Sequence, residues 1–335
     1  MIKKINLDTY RFLAALMVVA IHISPLVTIS SEIDFYFTRV ICRVAVPLFL
    51  MITGYFILDK ALSNKLTLIS YIKKILHIYI LCILLYIPIN IYTGSFNNIN
   101  IINLLKDIFI NGTMYHLWYF PGLILGLIIT YFLIKKIPSK AGLVATILYI
   151  LGLIGDSYYG IFSNIPLINN IYNIIFSIFD YTRNGVFYMP IFLYLGYAVK
   201  KSIFKINKPV LYSIIFFILM FLEAYLLHTN NLQKHDSMYI FLIPLMICLF
   251  SYLVSSSTSA NKELRNISTY IYIIHPLVLI LVRFSAKILS IENIVINNSL
   301  ILYVLVVIIS ILISVIYYRF KKGVVEYVKT VRRVC

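Results

Sequence analysis

The chain has 335 residues, 61% hydrophobic and only 12% charged, with a formal net charge of +17 and a mean hydropathy of +0.95. Soluble domains are roughly 45–50% apolar and about 25% charged, and a core of this size cannot hide so much apolar surface from water. The composition excludes an ordinary soluble enzyme, a disordered chain and a disulfide scaffold, and it leaves a polytopic membrane protein.

Apolar runs predict ten transmembrane helices, over about 10–29, 38–58, 75–93, 117–134, 141–155, 185–199, 210–227, 239–255, 268–286 and 299–318. Lys3 and Lys4 precede the first run as they would in a signal peptide. That run is too long for one, holds Arg11 and His22, and lacks a small-residue cleavage site, so a retained helix is expected. Segment 156–182, with Tyr158, Tyr159, Pro166 and several asparagines, predicts a long half-apolar loop that lies in the interface or re-enters. The basic tail 319–335 is expected against anionic lipid. The expected fold is all-α, a single transmembrane domain over 1–335 with no room for a sizeable soluble domain.

Charge placement sets the expected orientation. With the N-terminus inside, the inner segments carry 21 Lys and Arg residues. The outer loops carry 4: Lys106, Arg183, Lys234 and Lys287. Arg11, Arg39, Arg43 and Arg283 fall within spans. Both termini are therefore expected in the cytoplasm of a multi-pass cell-membrane protein. This bias explains the basic balance without nucleic acid. Cys42, Cys82, Cys248 and Cys335 form no CxxC pair, and no Cys/His cluster has zinc spacing, so no metal is expected. There is no Rossmann glycine pattern, P-loop or GxSxG.

Polar residues at membrane depth mark function by default. In the first span Asp8, Arg11, Ala15, Val18 and His22 are spaced 3, 4, 3 and 4, and so share one helix face. Arg11 and His22 lie about 16 Å apart along the axis. Arg11 reads either as a phosphate-recognising guanidinium near the cytoplasm or as a flank charge paired with Asp8. His22 reads either as a general base or as an interhelical hydrogen-bonder. Arg39 and Arg43, an i,i+4 pair, read as holding a sugar or anionic substrate, or as snorkelling to outer phosphates; Pro47 is expected to weaken or kink that helix. Lys73, Lys74 and His77 open the third span, as a donor-phosphate site or as an inner flank. Trp118, beside His116, reads by default as an interface anchor, and Asp180 and Arg183 sit at an outer mouth. Glu223 is a carboxylate within the seventh span. His275, before Pro276, reads as a packing hydrogen-bonder more readily than as a base.

In order along the chain, Asp8-x-x-Arg11…His22, Arg43-x-Ala45-Val46-Pro47-Leu48-Phe49, Thr53-Gly54-Tyr55, His116-Leu117-Trp118-Tyr119, Thr182-Arg183-Asn184-Gly185 and Ile267-Ser268-Thr269-Tyr270…His275-Pro276 resemble the acyltransferase 3 family of integral membrane acyltransferases. Within it the chain is similar to small stand-alone Gram-positive members and to the membrane half of VanT-type serine racemases. Those racemases continue into a soluble domain, and a chain stopping after its tenth span is not expected to racemise. The resemblance implies transfer of an acyl group, often acetyl, from cytoplasmic acyl-CoA to a hydroxyl of a cell-surface glycan or its lipid-linked precursor. It implies His22 as the essential histidine, Arg11 at the CoA end and Arg43 in a pocket. Acyl-CoA is then a co-substrate, and no bound cofactor is expected. One departure is that the third-span basic motif, often Arg-rich in the family, is here Lys73-Lys74 with His77. The expected mechanism docks CoA phosphates on Arg11, Lys73 and Lys74. His22 deprotonates the acceptor, and Arg43 and Tyr55 are nominated for the oxyanion. Arg39, Arg43, Tyr55, Trp118, Arg183 and His275 make up the expected acceptor pocket. A carboxylate to orient His22 stays open among Glu32, Asp180 and Glu223. The competing expectation is a transporter or flippase for a small amino acid, serine-like, or a glycan.

Overall fold

The computed structural model describes residues 7–94, 100–257 and 260–334, with side chains as far as 324; Lys3, Lys4 and Cys335 lie outside the described residues. Among the described residues the secondary structure is helical, with no strand. The principal helices are α1 Leu7–Ile23, α2 Ser31–Ser63, α3 Lys65–Tyr92, α4 Tyr119–Lys136, α5 Ala141–Ile154, α6 Pro166–Ile178, α7 Met189–Lys200, α8 Pro209–Thr229, α9 Leu242–Ser255, α10 Lys262–Ile288 and α11 Ser299–Val334. Of these α2, α3, α4, α8, α10 and α11 are long and apolar enough to cross a membrane. The other four predicted runs fall on α1, α5, α7 and α9. These have 17, 14, 12 and 14 residues, short of the roughly 20 that a perpendicular crossing uses. Leu81, Leu84, Ile218, Leu222, Ile308 and Leu312 stand exposed on α3, α8 and α11. Such continuous apolar faces are stable against lipid and not against water.

Local chemistry fixes the helix starts. Ser30, Asn64 and Asn261 place side-chain oxygens on the first open N–H groups of α2, α3 and α10. Proline opens α6 and α8, where no N–H is needed. α2 is not uniform: a π-helical turn over Tyr36–Val40 passes into a 3-10 turn over Ile41–Val44, and a second π turn covers Gly54–Leu58. Pro47 lacks the N–H that the Arg43 carbonyl would take in an α-helix, and the irregular turns directly precede it. α6 corrects the expectation of a loop over 156–182. Its apolar residues Leu167, Ile168, Ile171, Ile174, Ile175 and Ile178 recur at helical spacing opposite Asn169, Asn170 and Asn173, which suits a helix lying in the interface.

The chain clusters into two compact units, Met1–Val46 with Leu253–Cys335, and Pro47–Tyr252. In the first, α10 packs against both α1 and α11. Buried Asp8 pins the start of α1 to the start of α10. It accepts two hydrogen bonds from Arg265 at 3.1 and 3.0 Å, one from the Asn261 backbone N–H at 2.8 Å and one from Arg11 at 3.1 Å. At the other end of α1, Thr28 and Ser299 bond at 2.8 Å, and the Ser299 hydroxyl donates to the Pro25 carbonyl at 2.7 Å. This ties the end of α1 to the start of α11. α1 and α10 therefore run parallel, and α11 runs against both.

In the second unit, α7 meets the later half of α2 backbone to backbone. A Cβ at Gly54 would stand 2.0 Å from the Leu193 carbonyl oxygen, and one at Gly196 2.0 Å from that of Met51. Small residues permit this approach where lipid gives helices no hydrophobic reason to associate. Two buried carboxylates hold the segment entering α9. Glu223 accepts from the Ile240 and Phe241 N–H groups and from Tyr158. Asp156 accepts from the Ser237 and Met238 N–H groups and from Ser157.

Two stability results are expected. Gly54→Ala or Gly196→Ala costs about 3 kcal/mol by forcing the backbones apart, read as a lower unfolding midpoint in detergent. Gly323→Ala, whose Cβ meets nothing within 4 Å, leaves the midpoint unchanged or higher. For Asp8, burial alone would raise the carboxyl pKa, but the hydrogen bonds from Arg265 and Asn261 and the Arg11 charge outweigh it and hold it below its ordinary 3.8. A depressed pKa gives stability that is present above the ordinary value and is lost as pH falls through the folded one. Asp8→Asn is therefore less stable than wild type at neutral pH, and unfolding midpoints across a pH series converge below about 4.

Candidate active site

α1 carries the predicted stripe on a buried face. Asp8, Ala15 and Val18 are buried, and Arg11 and His22 are half-buried. Arg11 is bonded to Asp8. Two guanidiniums, Arg11 and Arg265, therefore share one carboxylate, and the group keeps a net positive charge. Arg265 was read from the sequence only as part of an inner flank. Its partner lies 257 residues away, so spacing gives no sign of the pair. His22 sits in the last turn of α1, because Ser24 adopts a left-handed φ of 57° and ends the helix at Ile23. The predicted span to 29 is thus cut short, and residues 24–29 turn instead.

The His22 ring stacks on that of His275, with centroids 5.3 Å apart and planes 23° from parallel. His275 is fully buried. Its Nδ1 lies 2.9 Å from the Tyr272 carbonyl oxygen and 3.1 Å from that of Ile271. Carbonyl oxygens only accept, so Nδ1 is the donor and, in the neutral ring, Nε2 holds the lone pair. In the same unit, buried Asp34 accepts from the Leu26 N–H at 2.8 Å and lies 3.4 Å from the Thr38 hydroxyl, which fixes the turn after His22. Sequence reasoning passed over Asp34. Glu32, by contrast, is exposed on the first turn of α2. Arg39 lies in the π turn and Arg43 in the 3-10 turn that follows it, not on one regular α-helix. Arg39 is half-buried and Arg43 buried.

The Pro47–Tyr252 unit brings two nominated residues together. The Arg183 guanidinium lies 4.7 Å from the Trp118 ring centre and 5.5 Å from that of Tyr181, and it donates to the Ser237 hydroxyl at 3.2 Å. Trp118 also meets Tyr188 edge-on. The non-helical segment before α7 is held by Asn184, whose side-chain oxygen accepts from Val186 and Phe187 and whose amide donates to the Tyr181 carbonyl. The result is an aromatic ledge around one cation, suited to a polar ligand with an apolar face. Tyr55 lies elsewhere. It meets Phe250 and the Lys200 ammonium, 4.9 Å from its ring centre, and Lys200 is about 18 Å along α7 from Tyr188. Tyr55 is therefore at the lysine-bearing end of α7, apart from Trp118 and Arg183. Lys73, Lys74 and His77 stand exposed on α3. Glu223 and Asp180 do not share the His22 unit, and Glu223 spends both oxygens on the entry to α9. Among the described residues no group of three His, Cys, Asp or Glu side chains gathers as a metal ion would require.

Comparison with known proteins bears on this arrangement. The family model described as an acyltransferase domain, acyltransferase 3, matches residues 4–319. An amino-acid racemase of Enterococcus faecalis is 42% identical over 319 residues, 93% of this chain and 44% of the relative. A second amino-acid racemase of that organism is 39% identical over 328 residues, 95% of this chain and 46% of the relative. A serine/alanine racemase of Enterococcus gallinarum is 36% identical over 319 residues, 92% of this chain and 45% of the relative. The chain thus spans less than half the length of these curated relatives. No solved structure matches it. A family match from residue 4 to residue 319, on a chain with six helices apolar enough to cross a membrane, means that this protein belongs to the acyltransferase 3 family of membrane proteins.

Proposed function

We propose that the protein is an acyl-CoA-dependent O-acyltransferase of the cell membrane, moving an acetyl or similar acyl group from cytoplasmic acyl-CoA to a hydroxyl of a cell-surface glycan or lipid-linked precursor. The observation that carries this reading is the α1 stripe. It sets a guanidinium and an imidazole about 16 Å apart on one buried face, the separation a CoA arm needs between its phosphates and its thioester. Ten crossings with both termini in the cytoplasm, the reading of the lysine and arginine bias, put Arg11 at the inner end and His22 in the outer half.

The chemistry balances simply. His22 takes the proton of the acceptor hydroxyl as its oxygen attacks the thioester carbonyl. The new C–O bond forms, the C–S bond breaks, and the proton passes from the imidazolium to the departing thiolate, giving free CoA thiol and an ester. Its place in the last turn of α1 puts His22 at the helix end whose dipole favours a positive charge. Arg11 anchors donor phosphate as a planar multi-donor cation, and exposed Lys73 and Lys74 add point charge at the cytoplasmic side. Arg43, buried in the same unit as His22, is the nominee for the developing oxyanion. The Trp118–Arg183 ledge is the acceptor-binding candidate of its own unit.

A second reading, supply of a small serine-like amino acid across the membrane, draws on the relatives, which are named as racemases and are about twice the length of this chain. It predicts flux without CoA. The two separate in one assay, with purified protein in nanodiscs, acetyl-CoA and an extract of membrane glycans. Thiol release by the wild type, falling about a hundredfold or more in folded His22→Ala, is the expected result. No release from wild type, with serine flux in proteoliposomes, is the result of the transport reading.

A further inference from the structure

Tyr55 stands at the lysine-bearing end of α7, away from the Trp118–Arg183 ledge, and the proposed chemistry leaves it without a task. The two lysines at this end are held in different ways. Lys201 is neutralised by Asp59 of α2 at 2.5 Å. Lys200 meets no carboxylate among the described residues, and its ammonium stands 4.9 Å from the centre of the half-buried Tyr55 ring.

α4 carries a second cation of this kind. Lys135 Nζ lies 5.5 Å from the Tyr131 ring centre and donates to the Tyr131 hydroxyl at 3.3 Å, again with no carboxylate among the described residues. α4 and α7 run side by side in one direction: a Cβ at Gly122 would meet Met189 and Gly185, and one at Gly126 would meet Met189 and Leu193. Lys135 lies nine residues past Gly126, and Lys200 seven past Leu193. These are about 14 and 11 Å of helix, so the two lysines leave neighbouring helix ends at nearly one level. Packed helix axes stand about 8–10 Å apart, a gap that two lysine side chains can close on one ligand.

The lysine and arginine bias reads this end as cytoplasmic. That bias accounts for lysines here, but not for their being held on rings. A ring holds an exposed ammonium only weakly, so a phosphate dianion takes the cation from it. The ring face that Lys200 leaves is then open to a planar base, which stacks through its π-face.

We infer that Tyr55, Lys135 and Lys200 form the binding site for the nucleotide end of the acyl-CoA donor: the two ammoniums take its phosphates, and the Tyr55 ring carries its base. This rests on the acyl-CoA reading. An inner-leaflet phospholipid offers the same phosphate chemistry but no base, so Tyr55 separates the two sources.

The test is equilibrium binding of CoA to the full chain in phosphatidylcholine nanodiscs, run beside the thiol-release assay. Lys200→Gln and Lys135→Gln each weaken CoA binding about tenfold, and Tyr55→Leu weakens it about fivefold. Tyr55→Phe, which keeps the ring, stays within about twofold of wild type. Lys208→Gln removes another inner lysine, one without a ring partner among the described residues, and also stays within about twofold. In thiol release, KM for acetyl-CoA rises by the same factors and kcat is kept. Lys135 and Lys200 are exposed, and an unchanged unfolding midpoint shows that each variant folds. CoA affinity unchanged in Lys200→Gln, Lys135→Gln and Tyr55→Leu, in a wild type that binds CoA, overturns the inference alone. An equal loss in Lys208→Gln overturns it too, since bulk positive charge would then suffice. So does the lipid outcome, in which Lys200→Gln and Lys135→Gln shed bound phosphatidylglycerol from mixed nanodiscs yet bind CoA as the wild type does. A wild type that binds no CoA overturns the acyl-CoA reading and the inference together.

Discussion

In the unit that carries His22, one buried carboxylate sets the register. Asp8 receives two bonds from Arg265, one from the Asn261 backbone and one from Arg11. Removing the carboxylate would leave the Arg11 and Arg265 guanidiniums facing each other without the charge between them. The contact also fixes the later meeting of the two histidines. Fourteen residues separate Asp8 from His22, and fourteen separate Asn261 from His275. Both intervals are about 21 Å of helix, so parallel helices joined at one pair arrive at the other in step. A slip of one residue would carry His275 about 1.5 Å along and turn it about 100° away.

The same residues show what was legible in the sequence. Periodicity is a local signal, so the Asp8–Arg11–His22 stripe and the position of every predicted apolar run could be read directly. The partners of that stripe could not. Arg265 lies 257 residues from Asp8, and its sequence context marks it only as a basic flank. His275 was noticed as a polar residue beside a proline, but nothing local shows which helix it faces. α6 was missed for a different reason. Its Pro166 and its asparagines carry the composition of a loop, which masks the i, i+3, i+4 recurrence of its isoleucines. The π and 3-10 turns of α2 leave no periodic trace, so the sequence alone reads 36–44 as regular helix.

Carboxylates divide the molecule by task. Glu223 and Asp156 are spent on backbone N–H groups ahead of α9, which stabilises non-helical chain in a setting without water to solvate it. Asp34 does the same for the turn after α1. Asp8 holds two arginines. Arg11, His22, Arg183 and Trp118, the side chains nominated for function, are half-buried, held by neighbours but not enclosed.

The central claim is that an acyl group leaves CoA and ends on a hydroxyl. The most direct measurement supplies membranes containing the protein with deuterium-labelled acetyl-CoA and follows the label by mass spectrometry. The account predicts deuterated acetyl in ester linkage on a glycan or lipid-linked acceptor, removable by mild alkali and missing from membranes without the protein. Label that stays in acetyl-CoA or appears only as free acetate, with every host glycan present, would contradict it.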